Sequence, residues 1–161
     1  ITSVTYRLSK QYRPKLDYGN IRFALAERGI KNPTAAELRQ TIIDIRNAKL
    51  PDPKKIGNAG SFFMNPILPK EKYESLASLY EGMPHYTIDE NHEKVPAGWM
   101  IEQCGWKGKS LGNVGVYDKQ ALVLVNHGGA TGADVVHLVE AIQHDVKEKF
   151  GVEIRPEVNV I

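Results

Sequence analysis

The sequence predicts an α+β fold, because helix patterns and strand patterns alternate along the chain and two helix starts are well marked. Thr34 and Glu37 form a capping-box pattern, and Thr131 and Asp134 form a second one with aspartate in place of glutamate. Apolar residues at helical spacing follow both starts, whereas residues 121–125 have the composition of a buried strand. We expect some of the strands to be antiparallel neighbours.

The first half of the chain is predicted to begin with a strand and to continue into a helix. Residues 1–8 alternate between apolar and polar positions, and the apolar face consists of Val4, Tyr6 and Leu8. The helix that begins at Thr34 should end near Lys49, because the residue before Pro51 is pushed out of the helical region. Its apolar stripe consists of Leu38, Ile42 and Ile45.

The second half is predicted to contain four further segments before its long helix: a glycine-rich loop at 57–61, a helix at 70–81, a polar loop at 82–95 and a short buried helix at 96–104. The long helix that follows Thr131 should end before Gly151. Its apolar residues have nearly ideal helical spacing: Val135, Leu138, Val139, Ile142, Val146 and Phe150. The last ten residues return to a strand pattern.

Composition excludes several classes of protein. Hydrophobic residues make up 42% and charged residues 25% of the 161 residues, so a packed core can form. A net charge of +2 from 21 basic and 19 acidic residues does not favour nucleic-acid binding. No apolar run approaches about 18 residues, so no membrane helix is expected. The single cysteine, Cys104, favours a reducing compartment such as the cytoplasm, and the five histidines have no metal-ligand spacing.

Both ends of the chain have the character of a shortened piece. The sequence begins at Ile1 in an alternating segment and stops at Ile161 in another strand-like run. We therefore expect the chain to be part of a larger protein.

The segment from Gly57 to Pro66 is the most distinctive candidate site. Glycines and small residues surround the hydroxyl of Ser61, and such a backbone can approach a ligand closely. Successive N–H groups in a turn of this kind can also hold an anion. On composition alone, an ordinary tight turn before a buried strand is the more frequent outcome.

Two charged residues have equally ordinary alternatives. Glu157 lies in an alternating apolar run, where a carboxylate usually faces solvent. Lys49 could meet a phosphate, although a surface lysine is the usual outcome.

Several segments together resemble the UDP-N-acetylenolpyruvoylglucosamine reductase family. They occur in the family's order and cover nearly all of the chain: Lys49–Lys54, Gly57–Phe63, Asn65-Pro66, Ala97–Cys104, Lys107-Gly108, Lys119–Asn126 and Pro156–Val158. Each motif alone is modest, and the set is specific.

The resemblance implies an oxidoreductase of peptidoglycan synthesis. Family members reduce UDP-N-acetylglucosamine enolpyruvate to UDP-N-acetylmuramate. NADPH reduces a bound FAD, the flavin gives hydride to the enol ether, and a proton is added at the adjacent carbon. The resemblance places the FAD site mostly in a region that is missing from this chain.

The resemblance also assigns residues. Ser61 matches the proton donor, and Glu157 looks like the carboxylate that assists the enol intermediate. Five positions match residues of the substrate site: Tyr18, Lys49, Asn65, Tyr86 and Gln120. Met64 and Asn159 depart from the lysine and arginine that are common in relatives, and we expect no loss of chemistry from either change.

By the same resemblance, the chain divides into three parts: the end of the FAD-binding region at 1–48, a substrate-binding domain at 49–150, and a strand at 151–161 that returns to the FAD region. We expect the reductase activity to belong to the full-length parent and the isolated chain to be inactive. Two alternatives remain open, which are a non-catalytic UDP-sugar-binding module and a structural fragment. The oligomeric state is not predicted.

Overall fold

A computed structural model describes residues 1–159 and divides the chain into two compact units, Ile1–Lys49 and the residues from Leu50 onward. The helices and strands that it contains are mixed in the manner of an α+β protein. Among the described residues, no helix is long and apolar enough to cross a membrane.

The first unit is helical. Helix α1 spans Ile21–Glu27 and packs against α2, which spans Ala35–Lys49. The capping box at the start of α2 is confirmed, because the Glu37 N–H donates to Thr34 Oγ1 over 3.3 Å and the Thr34 N–H donates to Glu37 Oε2 over 2.7 Å. The hydrogen bonds from Thr34 also lower the pKa of Glu37.

The predicted strand over residues 1–8 is wrong, because this segment has no regular secondary structure and is exposed throughout. A strand requires a neighbour for its backbone N–H and C=O groups. No other strand occurs among residues 1–49.

The second unit contains two antiparallel sheets. The strands are β1 Gly57–Ser61, β2 Ile67–Pro69, β3 Tyr86–Asp89, β4 His92–Lys94, β5 Ser110–Leu111, β6 Val114–Val116 and β7 Val123–Asn126. They lie in the order β1-β7-β6-β5 in the first sheet and β2-β4-β3 in the second. Three helices accompany them: α3 Lys70–Ala77, α4 Ala97–Gln103 and α5 Gly132–Phe150.

Helix α5 covers the four-stranded sheet and supplies much of the core. Its capping box is confirmed, since the Asp134 N–H donates to Thr131 Oγ1 and the Thr131 N–H donates to Asp134 Oδ2. The helix ends at Gly151, whose φ of 61° lies in the left-handed region. Five members of the predicted stripe are buried: Leu138, Val139, Ile142, Val146 and Phe150.

Four further predictions need correction. The glycine-rich segment 57–61 is strand β1, and the polar segment 82–95 contains the hairpin of β3 and β4. The helix expected at 70–81 ends at Ala77. The closing segment forms only one isolated bridge, between Phe63 and Pro156, and residues 160–161 lie outside the described part.

Candidate active site on the Ser61 ladder

Ser61 lies at the end of β1, directly after a β-bulge. Asn58 pairs with Val125 and Ser61 pairs with Val123, so β1 has one more residue than β7 between the two pairs. Gly60 occupies the extra length with a φ of +74°, a conformation that L side chains rarely adopt. The bulge therefore explains why a glycine precedes the serine, and it leaves Ser61 exposed at the strand end.

Glu157 is brought next to this position by the closing segment of the unit. The Glu157 N–H donates to the Phe62 carbonyl over 2.8 Å, and the Met64 N–H donates to the Arg155 carbonyl over 2.9 Å. Residues 62–64 and 155–157 thus pair as short antiparallel neighbours. The two residues that were predicted to be catalytic, Ser61 and Glu157, therefore lie on adjoining backbones and are both exposed.

A third segment, at residue 122, lies on the other side of Phe62. We call the backbone pairing of residues 61–64 with residue 122 and with residues 155–157 the Ser61 ladder. The Phe62 N–H donates to the Leu122 carbonyl over 2.7 Å, so Phe62 is held on one side by residue 122 and on the other by residue 157. The ring of Phe62 is buried, and so is that of Phe63, with 5.4 Å between their centroids. Burial of these two rings anchors the segment that follows Ser61 to the core.

Asn65 and Gln120 converge on the first turn of α4. Asn65 Oδ1 accepts a hydrogen bond from the Ala97 N–H over 2.9 Å. Gln120 Oε1 would lie 3.3 Å from a Cβ placed on Gly98, so this side chain rests directly on the helix backbone. Two amides of the predicted substrate set are thus neighbours at one helix turn.

Tyr86 begins β3, the outer strand of the other sheet, and is 64% exposed. It pairs with Lys94 of β4, which in turn pairs with Ile67 of β2. The sheet therefore presents Tyr86 on its surface. That Tyr86 contacts the same substrate as Ser61 stays a prediction.

Tyr18 and Lys49 belong to the first unit. Tyr18 is 84% exposed in the turn before α1, and Lys49 is the exposed last residue of α2. Their participation in one site with Ser61 stays a prediction.

Sequence reasoning overlooked a buried carboxylate near Tyr86. Glu93 on β4 is 4% exposed, Oε1 accepts from the Thr87 hydroxyl over 3.1 Å, and Oε2 has no hydrogen-bond partner. His85 Nδ1 lies 3.6 Å from Oε2, and its ring stacks on Tyr73 with 4.4 Å between centroids. The polar character of the segment 82–95 concealed the strand that buries Glu93.

The remaining candidates carry no site. Among residues 1–159, no three His, Cys, Asp or Glu side chains are grouped so that they could hold a metal ion. Burial raises the pKa of the half-buried Cys104 thiol, which disfavours the nucleophilic thiolate.

These features define a class of protein: an α+β domain with a serine after a glycine bulge, a carboxylate on the adjoining backbone, and a helix turn that two amide side chains contact. A family model described as the C-terminal domain of UDP-N-acetylenolpyruvoylglucosamine reductase matches residues 52–161. This chain belongs to that family.

Curated relatives agree with this assignment. Proteins named UDP-N-acetylenolpyruvoylglucosamine reductase are 55% identical in Bacteroides fragilis over 161 residues and 50% identical in Porphyromonas gingivalis over 161 residues, each covering 100% of this chain. The protein of that name in Burkholderia multivorans is 50% identical over 160 residues, or 98% of this chain. The chain spans about half the length of these relatives, at 48%, 47% and 46% respectively.

Proposed function

We propose that this chain supplies the substrate-binding and proton-donating half of a reductase that converts UDP-N-acetylglucosamine enolpyruvate into UDP-N-acetylmuramate in peptidoglycan synthesis. The observation that carries the proposal is the ladder on which Phe62 joins the backbone of Ser61 to that of Glu157. The family assignment supplies the substrate class, because the relatives are named for this reductase reaction.

Ser61 is assigned as the proton donor. Reduction of the enol ether leaves a strongly basic carbon, and a weak acid such as a serine hydroxyl can protonate that carbon when it is held in place. The bulge at Gly60 and the pairing of Ser61 with Val123 fix the backbone that carries this hydroxyl. Glu157, on the adjoining segment, is assigned to assist the enol intermediate.

The substrate diphosphate is assigned to the amides and the lysine. Asn65 and Gln120 lie at the first turn of α4 and can orient their donors toward phosphate oxygens. Lys49 would add a point charge, while Tyr18 and Tyr86 would close over the sugar and the nucleotide.

Ser61 and Glu157 are both exposed, so a flavin held by another part of the parent protein could approach them. When bound in the parent protein, FAD would supply the hydride after reduction by NADPH, and we assign it to the half that this chain lacks. The parent is expected to act in the cytoplasm, where NADPH is available.

The test is replacement of Ser61 by alanine in the full-length parent protein. We expect turnover to fall by about 10²–10⁴-fold, the usual contribution of a positioned acid, while KM changes little. Ser110→Ala is the matched control, because Ser110 is an exposed serine of the same sheet. Equal losses in kcat and in substrate affinity for Ser61→Ala would instead assign this residue a binding role.

A binding module without turnover is the second candidate, and the convergence of Asn65 and Gln120 within one unit favours it. Calorimetric titration of the isolated chain with UDP-N-acetylglucosamine tests this function. Heat that is lost in Gln120→Ala would support it, and no heat at millimolar ligand would exclude it.

A further inference from the structure

We infer that Asn58 is a positioning residue for Ser61, a role that rests on the proposed function of Ser61 as proton donor. Asn58 lies three positions before the serine, at the residue where the regular pairing of β1 with β7 is interrupted. Its side chain is half-buried, and both ends of its amide are engaged.

The amide of Asn58 braces the bulge from inside the strand. Asn58 Oδ1 accepts a hydrogen bond from the Gly60 N–H over 3.1 Å, and Asn58 Nδ2 donates to the Ile56 carbonyl over 3.1 Å. The Gly60 N–H belongs to the bulged residues between the Asn58 and Ser61 pairs, and the Ile56 carbonyl lies just before the first residue of β1. The side chain therefore supplies an acceptor to the bulge and a donor to the backbone that leads into it.

This brace acts on Ser61 because Gly60 is the most deformable residue of the segment. A glycine at φ +74° can reach many other conformations at low energy, and open space surrounds the position where its Cβ would stand. Without the bond from Asn58 Oδ1, packing does not prevent rotation about Gly60. The backbone after Ser61 is held at Phe62 by Leu122, so a change at Gly60 would be absorbed mainly at residue 61.

Asn126 provides a matched control. It is the neighbouring asparagine across the ladder, paired with Gly57, and Asn126 Oδ1 accepts from the Gly128 N–H over 2.8 Å. Its hydrogen bonds brace the turn that precedes α5, four residues along the ladder from Ser61. Both asparagines thus accept a hydrogen bond from a backbone N–H two residues later. Only the bond from Asn58 holds the residue that directly precedes Ser61.

The kinetic experiment uses the full-length parent protein with Asn58→Ala, Asn58→Asp and Asn126→Ala. We expect Asn58→Ala to lower kcat by about 10- to 100-fold with KM within about threefold, because displacement of a reacting group by about 1 Å costs up to that much. Asn58→Asp keeps an acceptor for Gly60 and should lie between Asn58→Ala and the parent. Asn126→Ala should keep kcat within about twofold.

A crystal structure of the Asn58→Ala parent protein separates this inference from the proposed function. We expect Ser61 to move by more than about 0.5 Å, the tolerance of a productive site. An unmoved Ser61, an equal loss of kcat in Asn126→Ala, or a parallel rise in KM would overturn the role of Asn58. If Ser61 moves in Asn58→Ala while Ser61→Ala leaves turnover intact, the proposed function fails and the positioning by Asn58 stands.

Discussion

The two antiparallel sheets of the second unit differ in how they hold the residues of the candidate site. In the four-stranded sheet, β6 and β7 are apolar and buried, α5 packs on β6, and Ser61 is fixed through backbone pairing. In the three-stranded sheet, all four residues of β3 are exposed, and a buried carboxylate lies on the central strand β4. Tyr86 therefore lies on an exposed edge strand, beside a strand that carries a buried carboxylate.

This difference indicates which kind of substitution each sheet tolerates. Close-packed apolar interiors respond to added volume, because no space is available to absorb it. Polar clusters respond to the loss of one partner, because a buried oxygen without a donor is costly. The comparison would be wrong if added volume were tolerated in the four-stranded sheet, or if loss of a hydrogen-bond partner were tolerated in the three-stranded sheet.

The largest effect is expected for Gly115→Ala on β6. A Cβ at this position would lie 2.5 Å from Ser110 Oγ and 2.9 Å from the Lys109 carbonyl oxygen, closer than real Cβ contacts. The carbonyl is backbone and cannot move without disturbing the pairing of β5 with β6. We expect a loss of about 3 kcal/mol in the free energy of unfolding, at the upper end for over-packing, measured by chemical denaturation.

Gly132→Ala is the control for Gly115→Ala. Gly132 is the first residue of α5, and nothing lies within 4 Å of its Cβ position. Alanine favours the helix more than glycine does, so no loss of stability is expected. A comparable loss in both variants would contradict the packing argument for the four-stranded sheet.

The sequence predicted those features whose signals are local. The boxes at Thr34 and Thr131 each lie within four residues, and both helices begin where the pattern placed them. The hairpin of β3 and β4 was missed because its strands are only four and three residues long and lie in a polar segment. The strand at 1–8 was predicted from alternation without knowledge of a partner. Neither burial of Glu93 nor the bulge before Ser61 follows from local pattern, because both depend on neighbouring strands.

The second-largest effect is expected for the hydrogen bond between Thr87 and Glu93, which can be removed by replacing either residue. Thr87→Val keeps the shape but leaves Glu93 Oε1 without its donor, beside the already unpaired Oε2. We expect a loss of about 1 kcal/mol in the free energy of unfolding. Glu93→Val removes the buried carboxylate entirely and should be neutral or stabilising, because an apolar side chain leaves no oxygen to desolvate.

Thr87→Ser is the control for this pair, since it retains the hydroxyl and should keep most of the stability. The same denaturation measurement compares all three variants. A greater loss for Glu93→Val than for Thr87→Val would mean that the neighbouring His85, 3.6 Å away, makes the carboxylate a net stabiliser. The three-stranded sheet would then depend on an ion pair rather than on one hydrogen bond.

The smallest effect is expected at the first turn of α4, which residues next to both sheets contact. Asn65 lies just before β2 of one sheet and Gln120 just before β7 of the other, and both contact the start of α4. A Cβ at Gly98 would lie 3.1 Å from Leu122 Cγ and 3.3 Å from Gln120 Oε1, so Gly98→Ala must displace the amide by a few tenths of an ångström. We expect the affinity of the full-length parent for UDP-N-acetylglucosamine to weaken by about threefold, or about 0.7 kcal/mol, measured by calorimetry.

A double-mutant cycle tests whether Gly98→Ala acts through Gln120. Alanine is a better helix former than glycine, so the substitution favours α4 itself while it crowds the amide, and a weakened affinity cannot come from a weaker helix. If the displaced amide is the cause, Gly98→Ala should have little further effect in a Gln120→Ala background. Additive losses in the double variant would instead place the disturbance at Leu122, whose carbonyl holds the Phe62 N–H, and would extend it to the ladder that carries Ser61.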